Sequence, residues 1–155
     1  MHLQVLYPVG MSTLHPAFEQ AWTRLIRAER GLVEAIEAEL RAGDFPPLAW
    51  YDVLLELWRR PDHRLRQSEL QSELLFAQYN LSRLVDRLEG AGLVRRESCP
   101  QDARSRWVVA TPAGLALRET MWPAYAAAIS RHVGSKLSAD EAAALAGLLG
   151  KLLGR

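Results

Sequence analysis

Cysteine is nearly absent: Cys99 is the only one in 155 residues. A disulfide within the chain is thereby excluded, as is a cysteine-rich metal site, and a reducing compartment is the expected setting. Lysine is scarce too, since Lys136 and Lys151 are the exceptions among 19 basic residues, the rest being arginine. A GC-rich genome yields the same bias, so it carries no functional weight. Long apolar runs are missing. The stretch from Leu3 to Val9 is too short and too interrupted for a signal-peptide core or a membrane span, and no basic segment precedes it. The expected location is the cytoplasm. The histidines, His2, His15, His63 and His132, are scattered without ligand spacing, and no zinc-protease, nucleophile-elbow, P-loop or dinucleotide-binding signature occurs. Catalytic, metal and cofactor chemistry therefore have no constellation of residues to rest on.

What is present is the composition of a folded protein, with 49% hydrophobic and 24% charged residues. The length suits one domain with a proper core, or a small binding lobe with a dimerisation element. The net charge of +1 is unevenly divided: residues 59–106 hold ten Arg against seven Asp and Glu, a balance of +3, while the remainder holds nine basic and eleven acidic residues, a balance of −2. The basic excess falls on one segment, weak support for an anionic partner there.

That segment overlaps the stretch from Arg66 to Gly114, which reads as two short helices joined by a tight turn, then a strand, a charged loop and a second strand. This is the order of a winged helix-turn-helix. From Ala77 to Ala91, the apolar residues Leu81, Leu84, Val85 and Leu88 fall at i, i+3, i+4 and i+7, one buried stripe of a helix. At about 100° per residue the opposite face carries Tyr79, Arg83 and Asp86, flanked by Asn80, Ser82 and Arg87, with Gln78 at the N-terminal boundary. Such side chains suit base edges and phosphates. An ordinary solvated surface helix has the same pattern, so the residues beyond the helix decide between the two. Gly92 stands where a glycine ends a helix, and Leu93 to Glu97 reads as a strand. Cys99 to Ser105 is expected to break any ladder, and Arg106 to Ala110 resumes a β-prone run before Thr111-Pro112. The expected hairpin carries Asp102 and Arg104 at its tip.

Two pieces of this stretch resemble the MarR family of bacterial transcription regulators. They are Leu84-Val85-Asp86-Arg87-Leu88-Glu89 with Gly92-Leu93-Val94, and Asp102-Ala103-Arg104-Ser105-Arg106 leading to Thr111-Pro112-Ala113-Gly114. The resemblance implies a fold that is mainly α with a small β-hairpin wing: a winged helix-turn-helix lobe over 48–110, dimerisation helices over 16–41 and 112–153, and an arm over 1–15, all in one domain over 1–155. It implies a recognition helix in the major groove, reaching DNA through Gln78, Tyr79, Asn80, Ser82, Arg83 and Arg87. In the wing, Arg104 would enter the minor groove, oriented by Asp102 and followed by Arg106. The partners implied are double-stranded DNA with an inverted repeat, a second copy of the chain, and a small aromatic or phenolic anion as effector. For that effector Trp22, Arg27, Trp50 and Tyr51 are candidates, because stacking rings and a cation suit such a ligand. Core packing is the competing explanation for the aromatic residues.

The rest of the chain is helical by period. A long helix is expected from Pro16 to about Arg41, stopped by Gly43-Asp44-Phe45-Pro46-Pro47, and a second from Leu48 to about Arg60. His63-Arg64-Leu65 suits a short third strand joining the wing, and Gln67 to Leu74 suits the first helix of the helix-turn-helix. Thr111 is a good N-cap and Pro112 a good first residue for a helix to about Gly134, with Pro123 expected to kink or divide it. Ser138-Ala139-Asp140-Glu141 forms a capping box before a last helix with Leu145, Leu148, Leu149, Leu152 and Leu153. Apolar helices at both ends exceed what one small winged lobe covers, and pairing of two copies is the simplest remedy. Cys99 has two readings, an incidental loop residue or a thiol whose modification displaces the wing.

Two function classes remain open. The first is a dimeric regulator, expected to be a repressor that leaves DNA when an effector binds. The second is a winged-helix adaptor that binds protein and not DNA, for which an apolar patch in place of the polar helix face is the expected mark.

Overall fold

The computed structural model describes residues 14–76 and 80–154. Its elements are α1 Pro16–Ala42, α2 Leu48–Trp58, β1 Arg64–Arg66, α3 Gln67–Glu73, α4 Leu81–Gly90, β2 Val94–Cys99, β3 Asp102–Ala110, α5 Pro112–Ile129, a π-helical turn Ser130–Gly134, and α6 Ala139–Leu152. The fold is mainly α with a small antiparallel sheet of order β1-β3-β2, as the sequence indicated. By contacts the chain divides after Glu34. In the first part, α1 turns Phe18, Trp22 and Ile26 to the surface.

In the second part the helix ends are fixed by identifiable donors and acceptors. Glu37, near the end of α1, accepts the Leu48 N–H at 2.9 Å and so caps α2, whose preceding residue is a proline that offers no side-chain acceptor. Glu69 accepts the Arg66 N–H at the start of α3, and Asn80 accepts the Arg83 N–H at the start of α4. Gly92 ends α4 with φ +74°, a left-handed position that favours glycine, and the Leu93 N–H returns to the Leu88 carbonyl at 2.9 Å. Thr111 caps α5 by accepting the Gly114 N–H at 3.1 Å, and its hydroxyl donates to the Gly92 carbonyl at 2.7 Å. At Gly114 a Cβ would stand 2.1 Å from the Leu93 carbonyl oxygen, so only glycine lets α5 lie this close to the chain entering β2. Ser138 and Glu141 form the capping box of α6.

The lobe core gathers Val53, Leu54, Leu57, Leu65, Leu70, Leu81, Leu84, Val85, Leu88, Val94 and Val108. These come from α2, the sheet and both helices of the pair, so the buried stripe of α4 meets its own chain. A second cluster, of Ile36, Leu40, Leu48, Tyr51, Met121 and Ala128, holds the end of α1 to α2 and α5.

Three expectations are corrected. Asn80, expected within the recognition helix, is instead the cap of α4, which starts at Leu81; Ala77 to Tyr79 lie outside the described residues. The second wing strand starts at Asp102 and not at Arg106: pairing runs from Val94↔Ala110 to Ser98↔Arg106, then jumps to Cys99↔Asp102. Residues 103–105 therefore form a bulge within the ladder, which places the reversal at Pro100-Gln101. Of the two outcomes expected at Pro123, division does not occur: α5 runs through it, and a π-helical turn follows at Ser130–Gly134.

Candidate nucleic-acid interface

An open cleft of about 1300 Å³ lies between α3, the first turn of α4 and the wing. Gln67, Ser68 and Gln71 line it from α3, Asn80, Leu81 and Ser82 from the start of α4, Glu89 and Arg96 from its floor, and Asp102, Arg104, Ser105 and Arg106 from the wing. Ser82, Arg83, Asp86 and Arg87 are exposed along α4 opposite its buried stripe. The face thus presents hydrogen-bonding and cationic groups at helical spacing.

The sequence-expected residues fare differently. Ser82 and Arg83 occupy the exposed first turn of α4, and Arg87 the exposed turn after it. Asn80 is exposed, but its side-chain oxygen already accepts the Arg83 N–H at 3.3 Å, so it is a cap before it is a reader. Gln78 and Tyr79 lie outside the described residues. Arg104 is exposed at the centre of the bulge, and Arg106, opposite Ser98, is exposed beside it. Asp102 accepts the Arg104 backbone N–H at 3.0 Å. It shapes the bulge backbone, and this contact leaves the Arg104 guanidinium free. Arg104 is thus exposed on the bulge and not at the tip of the hairpin.

Arg96 was missed. It leaves the middle of β2, its side chain only 14% exposed, and joins the wing to α4. One guanidinium nitrogen pairs with Asp86 at 2.7 Å and donates to the Ser82 carbonyl at 3.1 Å, while the other pairs with Glu89 at 3.2 Å. The Arg96 N–H donates to the same glutamate at 2.8 Å. The signal was present as two acids one turn apart on α4 and an arginine pair in the next strand, but register decides which arginine faces the helix. On the other side of the sheet Arg64 and Arg66 stand 4.6 and 5.3 Å from the centre of the Trp107 ring. Arg64 also pairs with Asp62, and this arginine holds the Asp62 carboxyl below the usual carboxylate range.

The effector candidates on α2, Trp50 and Tyr51, do not form one set. Trp22 and Arg27 are exposed on the first part of α1. Trp50 packs against the lobe core and Tyr51 against the second cluster, since neighbours on a helix point about 100° apart. Tyr51 instead meets Trp122, stacked at 6.3 Å, and Tyr125, edge-on at 5.1 Å. Arg118 lies 4.1 Å over the Trp58 ring and acts on the Tyr51 hydroxyl; burial pushes that phenol up and the arginine opposes the shift. Cys99 is not a loop residue but the last residue of β2, and it is buried, so oxidants in solvent do not reach its sulfur. Among the described residues no group of His, Cys, Asp and Glu has the geometry to hold a metal ion, and no helix is long and apolar enough to cross a membrane.

Comparison with known proteins agrees with this geometry. Residues 44–105 match the model of a family described as the MarR family. The chain is 34% identical to the HTH-type transcriptional regulator PrsX of Escherichia coli over 65 residues, which are 42% of this chain and 39% of that protein. It therefore spans well under two thirds of that curated relative's length. Similarity to solved structures extends further. Sco3205 of Streptomyces coelicolor, a MarR family transcriptional regulator solved in complex with DNA, is 27% identical over 92% of this chain and 90% of its own, with a TM-score of 0.80. AbsC, another MarR family regulator from that organism, is 27% identical over 92% of this chain and 96% of its own, with a TM-score of 0.76.

Proposed function

We propose that this chain, whose residues 44–105 match the MarR family model and whose fold is similar to MarR family regulators, is a sequence-specific DNA-binding transcription regulator, a dimeric repressor acting in the cytoplasm and released by a small-molecule effector. One observation carries the reading: Asn80 and Ser82 at the start of α4 and the bulged Arg104 of the wing line the same cleft. A helix in the major groove and an arginine in the adjacent minor groove need that convergence. The adaptor reading would need an apolar face on α4, and the face is Ser82, Arg83, Asp86 and Arg87.

Dimerisation through the terminal helices is supported by the leucines that α6 exposes and by Phe18, Trp22 and Ile26 on α1. A two-fold dimer implies an inverted repeat with half-sites about one DNA turn, or ~34 Å, apart. For the effector, a small aromatic anion keeps Tyr51 as a candidate and draws in Trp122, Tyr125 and Arg118, which supply rings and a cation in one place. A mobility-shift assay on DNA upstream of the chain's own gene, with footprinting and light scattering, tests the proposal. Protection of two half-sites by a dimer is expected. A monomer at micromolar concentration, or no shift at low salt, overturns it.

A further inference from the structure

Asp52 and Glu56, both on α2, are the charged side chains buried among the described residues, at 4% and 5% exposure. A buried carboxylate is strongly unfavourable unless hydrogen-bonded or paired. Glu56 has Arg59 at 2.7 Å. Asp52 has backbone instead: its Oδ2 accepts the Phe76 N–H at 3.0 Å, and the neighbouring Leu75 N–H also favours the charged carboxylate. Both donors lie just past α3, where Leu74 leaves helical geometry at φ −65° and ψ 136°. Among the described residues neither N–H has a backbone acceptor. Phe76 packs into the second core cluster, and Asn80, the cap of α4, stands four residues later.

We propose that Asp52 is a positioning residue for DNA recognition: its ionised carboxylate fixes the backbone at Leu75 and Phe76, between α3 and the cap of α4, so DNA affinity depends on its charge. The proposal rests on the DNA-binding reading above. Burial, the largest influence, holds this carboxyl above the usual carboxylate range; the Phe76 and Leu75 N–H groups oppose the shift, Glu56 adds to it, and Arg59 opposes it. Tyr125, facing it from α5, is itself pushed up by burial and by the Asp52 charge, and so stays neutral at working pH. As pH falls through the raised value Asp52 takes up a proton, its hold on the two N–H groups weakens, and DNA affinity falls. Global stability responds with the opposite sign. The native state then binds a proton that the unfolded chain does not, so the Asp52 contribution favours folding as pH falls and is lost as pH rises through the folded value. A merely structural carboxylate would not separate the two.

The test uses the full chain as wild type, Asp52→Asn and Asp52→Ala. Duplex affinity and melting temperature are measured from neutral pH into acid, and protection of the Leu75 and Phe76 amides is followed by hydrogen exchange. Wild type should lose affinity in acid relative to Asp52→Asn, which lacks that step and melts no lower than wild type at neutral pH. Asp52→Ala should lose protection at both amides and roughly tenfold in affinity. Should Asp52→Ala fail to fold, the affinity difference between wild type and Asp52→Asn across pH decides alone. An acid step that persists in Asp52→Asn, or unchanged protection and affinity in Asp52→Ala, overturns the proposal. If wild type binds no duplex the DNA-binding reading fails, whereas amide protection still reports whether Asp52 holds the turn.

Discussion

Helices α4 and α6 carry the same kind of apolar stripe and meet opposite fates. In α4, Leu81, Leu84, Val85 and Leu88 are buried against α2, α3 and the sheet. In α6, Leu145, Leu148, Leu149 and Leu152 have similar spacing, yet no residue of the helix is buried, and Leu148 and Leu152 stand 59% and 73% exposed. Amphipathic periodicity specifies which face of a helix avoids water, and does not say whether the covering surface comes from the same chain. The lobe holds itself together; α6 presents an apolar surface that the described residues leave uncovered.

The comparison is tested most severely by removing the same amount of apolar side chain from each helix. Leu88→Ala should lower stability by about 2–5 kcal/mol, the range for a buried leucine whose site cannot collapse. Gly114→Ala should be comparably harmful, because its Cβ would enter the Leu93 carbonyl. Leu148→Ala, at low concentration where any dimer has dissociated, should cost well under ~1 kcal/mol. Urea melts of the three variants measure this. Equal losses at Leu88 and Leu148 would mean that α6 is covered by its own chain.

A second test charges the exposed stripe. Leu148→Glu with Leu152→Glu should abolish self-association while leaving helix content nearly intact, since each leucine contributes about 1.5–3 kcal/mol when buried and a buried carboxylate opposes burial outright. Sedimentation velocity gives the oligomeric state and circular dichroism the fold. A dimer that survives the double change would place its interface elsewhere, and DNA affinity should fall with the dimer because half-sites are then bound singly.

How much was legible depends on which interactions are local. The buried stripe of α4, the caps at Thr111 and Ser138 and the glycine at Gly92 are set within a few residues and were readable from spacing. What escaped depends on register or on distant partners. Nothing in Ala77 to Leu81 shows that Asn80 caps the helix rather than continuing it, because asparagine serves either use. The wing bulge was hidden because Asp102 to Ser105 has turn composition, while strand pairing is decided by what lies opposite. Arg96 was missed for the same reason. Trp50 and Tyr51 are both aromatic and suit a stacked ligand by residue type, whereas helix geometry sends them to different cores.

On the DNA side the effects should be smaller and separable from folding. Arg104→Ala should weaken duplex binding by roughly tenfold at moderate salt and lower the salt slope by about one, with an unchanged melting temperature, because the residue is exposed and the bulge is held by Asp102 and not by the guanidinium. Arg96→Ala should do the reverse in kind: it frees Asp86 and Glu89, loosens the wing against α4, and lowers the melting temperature as well as affinity. Anisotropy titrations with parallel melts separate the two. If Arg104→Ala melts early, the bulge is structural and the wing assignment loses its support.

The finest test lies at the start of α4, where capping and reading compete for one side chain. Asn80 accepts the Arg83 N–H, so Asn80→Ala should cost about 0.5–2 kcal/mol of stability by leaving that donor without a side-chain partner. Asn80→Ser restores the cap, since serine is as good at this position, but removes the amide that a bidentate contact to adenine requires. If capping is its whole role, Asn80→Ser should match wild type in melting temperature and in the ratio of cognate to scrambled affinity. A base contact would instead cost about 1–3 kcal/mol against the cognate site alone. Arg83→Ala supplies the contrast, because its backbone N–H serves the cap whatever its side chain is. A phosphate contact there should weaken all sequences about equally and lower the salt slope by about one. The expected result is a serine variant indistinguishable from wild type and an Arg83 variant weakened on every duplex. A serine variant that loses cognate affinity while its melting temperature holds would assign base reading to Asn80 after all.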